Sequence, residues 1–537
     1  MRSMQNIVQN IWKEHAVRKI FVLTLGAVVY ALLFSLGSQI DQTGVTSAGT
    51  TLTRFAIAFP IAWVVLLMLM GVLIPKITCV QEKEKKPFRT WGAFLVIFLC
   101  YVPIFLIYYP GTFAYDTQVQ AEQVVYSRYT TFHPLVHTLF LGACLSLFET
   151  LESLEKCAAV YSLIQMALMA GCFALTCSSV SRSGSRRAAR ICTGIFALYP
   201  FHMVFASTCT KDVLFSGFLT VFLAWTLEWM RFRKLTALRF AGMVVSGTLA
   251  CLLRNNMIYA MLIWMVILLI FGGKRLRRIA CCAAAVSVLS LMVNQGLMMA
   301  THAERGNIRE MLSVPIQQLS RAHRLAPQVF TQEEQQALDT YICDRGYELY
   351  DETLSDQVKW RFQTEEFKKD PVGAAKLWLS VGKKCPEIYL DAFLNLMLPY
   401  LYPYQVYRVT PEYIDSGSYG TVLTELYSQP PLVHPLRFKD IRNWLDTQIW
   451  ADGADHFPIL RWVFNAGLII WLMLLSVFSV MYAGNWKRFI VLLLPVLLWG
   501  TYLLGPVAQS RYLYPFVCVL PLLFVIPKNE EVGENDV

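Results

Sequence analysis

The chain has 537 residues, of which 56% are hydrophobic and only 16% are charged. Charged residues make up nearer a quarter of a soluble protein, so this composition excludes an assembly of soluble domains. Apolar stretches long enough to cross a hydrocarbon core of roughly 30 Å recur along the chain. We therefore predict an all-α polytopic membrane protein with about 12 to 13 transmembrane helices, because a β-barrel would show short alternating strands instead.

The net charge of +10 is unevenly distributed along the chain. Residues 300–457 contain 22 acidic and 16 basic residues, whereas the rest of the chain contains 15 acidic and 31 basic residues. The basic residues cluster in short loops, where they indicate membrane orientation rather than nucleic-acid binding. They predict a multi-pass cell-membrane protein with a cytoplasmic N-terminus. The 14 cysteines are scattered, which favours buried hydrophobic roles over disulfides or a zinc site.

The predicted spans divide the chain into four regions. The candidate spans are 20–38, 55–75, 91–109, 158–176, 188–206, 213–230, 237–253, 257–273, 279–299, 459–482, 489–505 and 511–527. The regions are an N-terminal transmembrane domain (1–299) with a catalytic first outer loop (109–157), an α-rich extracytoplasmic domain (300–457), C-terminal transmembrane helices (458–527) and a disordered cytoplasmic tail (528–537).

Residues 133–148 leave two topologies open. They are apolar but number only 16, which is short for a crossing. In the preferred interpretation they dip into the outer surface or lie along it, so that 110–157 stays outside. The alternative is a short, tilted span.

The first outer loop carries the main candidate for chemistry. The apolar run ends at Tyr108 and Tyr109, and Pro110 with Gly111 then breaks the helix. Asp116 follows, with Gln118 close behind it. A carboxylate at a membrane surface can accept a proton, bind a divalent cation or simply solvate a loop, and the restrained surroundings favour a functional role.

Two histidines follow in the same loop. His133 and His137 have i, i+4 spacing and would share one face of a helix. Ligation of a metal together with a carboxylate, a polar contact with substrate, and a structural role at the interface all remain open.

Further polar residues lie at the predicted outer ends of later spans. The candidates for binding an anion or a substrate are Lys211, Asp212, Arg254, Asn255, Arg511 and Tyr512, with Gln317 and Gln318 at the start of the outer domain. Ammonium and guanidinium groups suit a phosphate. Each also has a structural alternative: a snorkelling lysine beside its counter-ion, an ion pair of Arg254 with Asp116 or Asp212, an interfacial anchor at Arg511, and a solvated helix face at Gln317.

These pieces resemble a known superfamily. The Tyr-Pro-Gly-x4-Asp pattern ending at Asp116, followed by His133-Pro-Leu, is similar to the first outer loop of glycosyltransferase C membrane enzymes, including protein O-mannosyltransferases and aminoarabinose transferases. Four further pieces are TKD (210–212), RNN (254–256), PIQQL (315–319) and SRY (510–512). Together the five resemble a little-characterised bacterial branch of that superfamily.

The resemblance implies a transferase that takes a sugar from a polyprenyl-phosphate donor at the outer membrane face. Asp116 would be the general base, and Lys211, Arg254 and Arg511 would neutralise the lipid phosphate as it leaves, with inversion at the anomeric carbon. The acceptor would be an envelope glycan, lipid or protein.

Two departures bear on these expectations. The loop has one Asp where the mannosyltransferases have an Asp-Glu pair, and His-Pro-Leu lacks a second proline. No cofactor is therefore certain; Mg²⁺ or Mn²⁺ is a candidate, with Asp116, Asp212 and His133 as weak candidate ligands. The alternative functions are a flippase or transporter of lipid-linked glycans, and a glycan polymerase or ligase.

Overall fold

The computed structural model of the chain describes residues 15–73, 88–113, 115–232, 235–403, 435–451 and 457–524. The predicted tail at 528–537 lies outside these residues. The elements of the first half are α1 (His15–Thr43), α2 (Ala48–Met68, continued by a π-helical turn at Leu69–Leu73), α3 (Thr90–Ile107), β1 (Thr112–Phe113), α4 (Tyr115–Val125), α5 (Leu135–Leu145), α6 (Phe148–Leu151), α7 (Leu154–Ser183), α8 (Arg186–Leu198), α9 (Pro200–Phe205), β2 (Thr208–Cys209), α10 (Lys211–Phe232), α11 (Ala237–Leu253), α12 (Asn255–Phe271) and α13 (Lys274–Thr301).

The second half contains a small domain and the last helices of the bundle. Its helices are α14 (Ser313–Leu325), α15 (Gln332–Tyr341), α16 (Asp356–Lys359), α17 (Thr364–Lys369), α18 (Pro371–Lys384), α19 (Pro386–Leu401), α20 (Lys439–Trp444), α21 (Pro458–Val463), α22 (Ala466–Tyr482), α23 (Trp486–Tyr502) and α24 (Ser510–Phe524), with 3₁₀ turns at Ile308–Met311, Pro327–Val329, Gly346–Leu349 and Leu436–Phe438 and a π-helical stretch at Leu445–Ala451.

The chain is an all-α polytopic membrane protein. Six helices within the described ranges are long and apolar enough to cross a membrane, namely α1, α2 with its π turn, α3, α7, α10 and α13 from Leu276 onward. Shorter apolar helices, among them α11, α12, α22 and α24, pack with them in one extensive apolar core. The cysteines that the structure describes are free, and most of them are buried.

Basic residues gather at one end of this bundle. Lys19 lies over the ring of Tyr482, and Arg182 and Arg239 both pair with the buried carboxylate of Glu228. These residues lie where α1 begins and where α7, α10 and α22 end. Asp116 and the small domain lie at the other end. The two groups of residues thus lie at opposite ends of the bundle, and which end faces the cytoplasm stays a prediction.

Residues 133–148 contain a short helix that packs against the start of α7. Helix α5 has only 11 residues, about 16 Å at 1.5 Å per residue. It runs back along the first turns of α7: His137 near its start bonds to Tyr161, whereas Leu145 at its end packs in one cluster with Leu154. Helix α7 has 30 residues, about 45 Å, so α5 accompanies only its first turns. The membrane topology of residues 133–148 stays a prediction.

Two predicted spans are interrupted helices. The span 188–206 breaks between α8 and α9, where Pro200 cannot continue the helix and occupies the first turn of a new one. The span 459–482 breaks at Asn465, whose side-chain oxygen caps α22 by accepting from the backbone N–H of Leu468 at 2.7 Å.

The small domain has its own core but shares its last helix with the bundle. Its apolar core is formed by α14, α15, α18 and the start of α19. The second half of α19, from Leu394 onward, belongs to the bundle core. The indole N–H of Trp471 donates to the Leu401 carbonyl at 2.9 Å, and a side chain at Gly37 would collide with Tyr402. The core of the small domain therefore ends within α19, well before the predicted domain boundary at residue 457.

Candidate active site

A short parallel strand pair brings two distant loops together. Thr112 pairs with Thr208 and Phe113 with Cys209, and the Thr112 hydroxyl donates to the Thr208 hydroxyl at 2.8 Å. The pairing joins the loop after α3 to the loop before α10. Asp116 and Lys211 each follow one of the strands by a few residues and therefore lie side by side.

Gly111 is the tightest point of this junction. Its φ is +123°, a conformation that L side chains rarely adopt. An added Cβ would lie 2.1 Å from the Ser162 hydroxyl oxygen and 2.9 Å from the Ser207 carbonyl oxygen. The break predicted at Pro110 and Gly111 is thus a close approach of three chain segments that only glycine allows.

Asp116 is held by two cations. Its Oδ2 accepts a hydrogen bond from Lys211, which opens α10, and another from Nη1 of Arg511 in the first turn of α24 at 2.6 Å. His133 Nδ1 lies 3.2 Å from the Lys211 ammonium nitrogen. The Asp116, Lys211 and Arg511 side chains are 14%, 10% and 12% exposed, so the cluster is nearly but not fully covered.

The charges fix the protonation states of this group. Burial alone would raise the pKa of Asp116, but Arg511 and Lys211 outweigh burial and hold that pKa well below its usual value. Burial and the adjacent Lys211 lower the pKa of His133 to about 3. His133 is therefore neutral near pH 7, and its Nδ1 accepts from the Lys211 ammonium.

A second ion pair supports the first. Arg254, predicted to bind phosphate, pairs with the fully buried carboxylate of Asp212, one of the two alternatives left open. Its guanidinium carbon lies 4.3 Å and 4.9 Å from the ring centroids of Tyr512 and Tyr502. The Tyr512 hydroxyl in turn accepts from Arg511 at 3.0 Å. Arg254 thus packs against Tyr512, the neighbour of Arg511, and does not face the Asp116 carboxylate.

His133 and His137 lie in different surroundings. His133 precedes α5 and faces Lys211, so the expected shared helix face is absent. His137 lies inside α5, fully buried, with Nδ1 2.9 Å from Gln120 Oε1 and Nε2 2.8 Å from the Tyr161 hydroxyl. Both ring nitrogens are used by the protein, so His137 has a structural role.

The remaining candidates fall into two groups. Gln118 lies half-buried on α4, and Asn255 donates to the Thr131 carbonyl at 3.2 Å, which fixes the chain ahead of His133. Gln317 donates to the Asp351 carbonyl at 2.6 Å, and Gln318 donates to the Tyr389 carbonyl at 3.2 Å. Both glutamine amides hold the small domain together, and these bonds do not involve the Asp116 cluster.

The surroundings of Asp116 do not fit a divalent cation. Asp116 Oδ2 is occupied by an ammonium and a guanidinium, and both of these groups repel a further cation. Asp212 is likewise committed to Arg254. Within the described ranges no three His, Cys, Asp or Glu side chains come together as a ligand set.

Residues 125–536 match the model of a family described as "Family of unknown function (DUF6020)". The chain belongs to this family. The matched range includes His133, Lys211, Arg254 and Arg511, whereas Asp116 lies just before it. A search of curated proteins and a search of solved structures each returned no match.

Several residues of the site escape sequence analysis. Tyr502, at the end of α23, packs against Arg254, and Gln120, Tyr161 and Gln165 form a buried chain of hydrogen bonds through His137. Gln165 ends this chain by donating to the Thr208 carbonyl at 2.8 Å, next to the strand pair. Buried glutamines in apolar helices were the available signal, because such amides are costly unless they are bonded.

Proposed function

We propose that the protein is a membrane glycosyltransferase that moves a sugar from a polyprenyl-phosphate donor to an envelope acceptor. The observation that carries the proposal is the pairing of one carboxylate with two cations at the end of the bundle that bears the small domain. Asp116, Lys211 and Arg511 sum to one positive charge when His133 is neutral. A group of this kind attracts an anionic lipid headgroup and contains a base beside it.

The charges match the chemistry of the transfer. In a direct displacement the acceptor oxygen bonds to the anomeric carbon while the bond from that carbon to the phosphate oxygen breaks. The phosphate keeps the electron pair and gains about one further negative charge. Lys211 and Arg511 supply two positive charges for that phosphate, and the acceptor proton passes to Asp116. Stabilising charge that develops in the transition state is the efficient use of such cations.

The same arrangement makes the basicity of Asp116 depend on whether the donor phosphate is bound. With both cations on its carboxylate, Asp116 is a weak base, because its pKa lies well below the usual value. A donor phosphate competes for Lys211 and Arg511, and each hydrogen bond that moves to the phosphate raises the basicity of Asp116. The proposal therefore expects the donor to bind before the acceptor is deprotonated.

The experiment compares lipid-linked sugars by mass spectrometry in cells that lack the gene and in cells complemented with wild-type protein or with Asp116→Asn. One polyprenyl-phosphate sugar should accumulate in the deletion strain and in the Asp116→Asn strain, and wild type should clear it. The purified wild-type protein should then transfer that sugar in vitro. Clearance by Asp116→Asn as fast as by wild type would reject Asp116 as the base.

The alternative of a flippase gives a different result. A flippase moves the intact donor across reconstituted vesicles and forms no new glycosidic bond. If the purified protein transports the lipid-linked donor but transfers no sugar, the flippase function would replace the proposed glycosyltransferase.

A further inference from the structure

A helical segment beside the site has features that the proposed activity does not explain. Residues Leu436–Ala451 form a continuous helical run of a 3₁₀ turn, α20 and a π-helical stretch. The sequence places them in the hydrophilic outer domain, yet large apolar side chains lie on their surface. Leu436 is 78% exposed, Ile441 is 50% exposed and Trp444 is 51% exposed.

This segment is fixed to the end of a transmembrane helix. The Tyr108 hydroxyl, one residue beyond the end of α3, donates to Asp446 Oδ1 at 2.6 Å. The Arg442 guanidinium donates to the Ile107 carbonyl at 3.3 Å. Because α3 is apolar and long enough to span a membrane, its end marks the level of the membrane surface.

The segment has three distinct faces. Phe438, Arg442 and Leu445 are half-buried and face the protein. Ile441 and Trp444, one turn apart, are exposed and apolar. Asp440, Asn443 and Thr447 are exposed and polar. An amphipathic helix with a tryptophan on its apolar flank is typical of a helix that lies in the membrane interface.

We propose that residues 436–448 lie in the outer membrane interface, with Ile441 and Trp444 inserted among lipid acyl chains. The exposed basic residues Arg437 and Lys439 would meet lipid phosphates on the same side of the membrane.

Exposed apolar side chains also lie on the helices before and after the segment. Leu95 and Leu99 of α3 are 52% and 61% exposed, and Ile459 and Trp462 of α21 are 78% and 45% exposed. The span to which the segment is bonded therefore presents apolar side chains as well. This favours lipid over a separate protein partner as the occupant, because a bilayer covers both a transmembrane span and a helix bonded to its end.

The segment affects the site by positioning the Asp116 loop relative to the membrane. Tyr108 precedes Pro110 and Gly111, the point at which the Asp116 loop leaves α3. A lipid-anchored segment bonded to Tyr108 and Ile107 sets the height of that loop relative to the lipid headgroups. The membrane contact does not depend on which reaction the site performs.

Site-specific photocross-linking tests the proposal with the full chain in nanodiscs of phosphatidylglycerol and phosphatidylethanolamine. Benzoylphenylalanine replaces Ile441 or Trp444 on the apolar flank, and Asp440 or Asn443 as matched controls on the polar flank. Mass spectrometry should find several-fold more phospholipid adduct at 441 and 444 than at 440 and 443. Equal lipid adduct at all four positions, or cross-links from 441 and 444 to a second copy of the chain, would overturn the proposal.

A conservative variant gives a second measurement if the photoreactive variants fold poorly. Brominated phospholipids quench tryptophans that reach the acyl chains, about 5–10 Å below the headgroup boundary for an interfacial helix. Trp444→Phe should lower the quenchable part of the total fluorescence. An unchanged quenchable part would count against insertion, whatever the result for sugar transfer.

Discussion

The replacement Arg511→Gln separates the electrostatic role of Arg511 from its packing. Arg511 Nη1 lies 2.6 Å from Asp116 Oδ2, and both side chains are more than four-fifths buried. At a charge separation of about 4 Å and an effective dielectric constant of about 20, the attraction is about 4 kcal/mol. Lys211 remains in place, so the carboxylate keeps one partner. The pKa of Asp116 should therefore rise toward its ordinary value.

The assay is infrared spectroscopy of the protonated carboxyl band in purified protein across an acid titration. Subtraction of the same titration for Asp116→Asn assigns the band. Arg345→Gln is the matched control, since that guanidinium is 69% exposed and pairs with Glu348 in the small domain. A wild-type midpoint for Asp116 in Arg511→Gln, or an equal change in Arg345→Gln, would refute the pairing of Asp116 with Arg511.

Three further outcomes are expected. Gly111→Ala should lower the free energy of unfolding by about 2 kcal/mol or more, because the new side chain is strained against Ser162. Gly171→Ala in α7 has open space around it and should be neutral or stabilising. Equal melting temperatures for these two variants would contradict the prediction. His137→Leu should cost about 1–3 kcal/mol, because Gln120 and Tyr161 lose a buried partner; an unchanged melting temperature would remove that role. Burial would raise the pKa of Glu334, but the hydrogen bonds from Lys384 and Ser380 outweigh burial and lower this pKa from 4.5 to about 2. The ionised Glu334 therefore stabilises the fold above pH 4.5, and this stabilisation is lost as the pH falls toward 2. Hydrogen exchange in α15 should rise over that range, and Glu334→Gln should remove the dependence.

The spans and the position of the site were predictable because they depend on local composition. Apolar length identifies a crossing, basic loops give direction, and alternation then places Asp116, Lys211, Arg254 and Arg511 at one end of the bundle. The structure has all four there. Helix α19 was not predictable in this way, because Asp391 and Asn395 lie within it and its apolar half is too short to be identified as a span.

The partners within the site could not be predicted from sequence. Lys211 and Asp212 are adjacent, yet successive residues of a helix point in different directions, so Lys211 meets Asp116 while Asp212 meets Arg254. Which arginine faces which carboxylate depends on how α10, α12 and α24 are rotated in the bundle. The helical spacing of His133 and His137 was misleading for a similar reason, since α5 begins only at Leu135.

Arg511 lies in α24, the last helix of the described residues, whereas its carboxylate partner Asp116 follows α3. During synthesis Asp116 and Lys211 are therefore made long before Arg511. The ion-pair cluster is complete only when α24 has been inserted and packed against α10. A chain that stops before α24 would therefore contain both Asp116 and Lys211 but would lack Arg511, the second cation of the site.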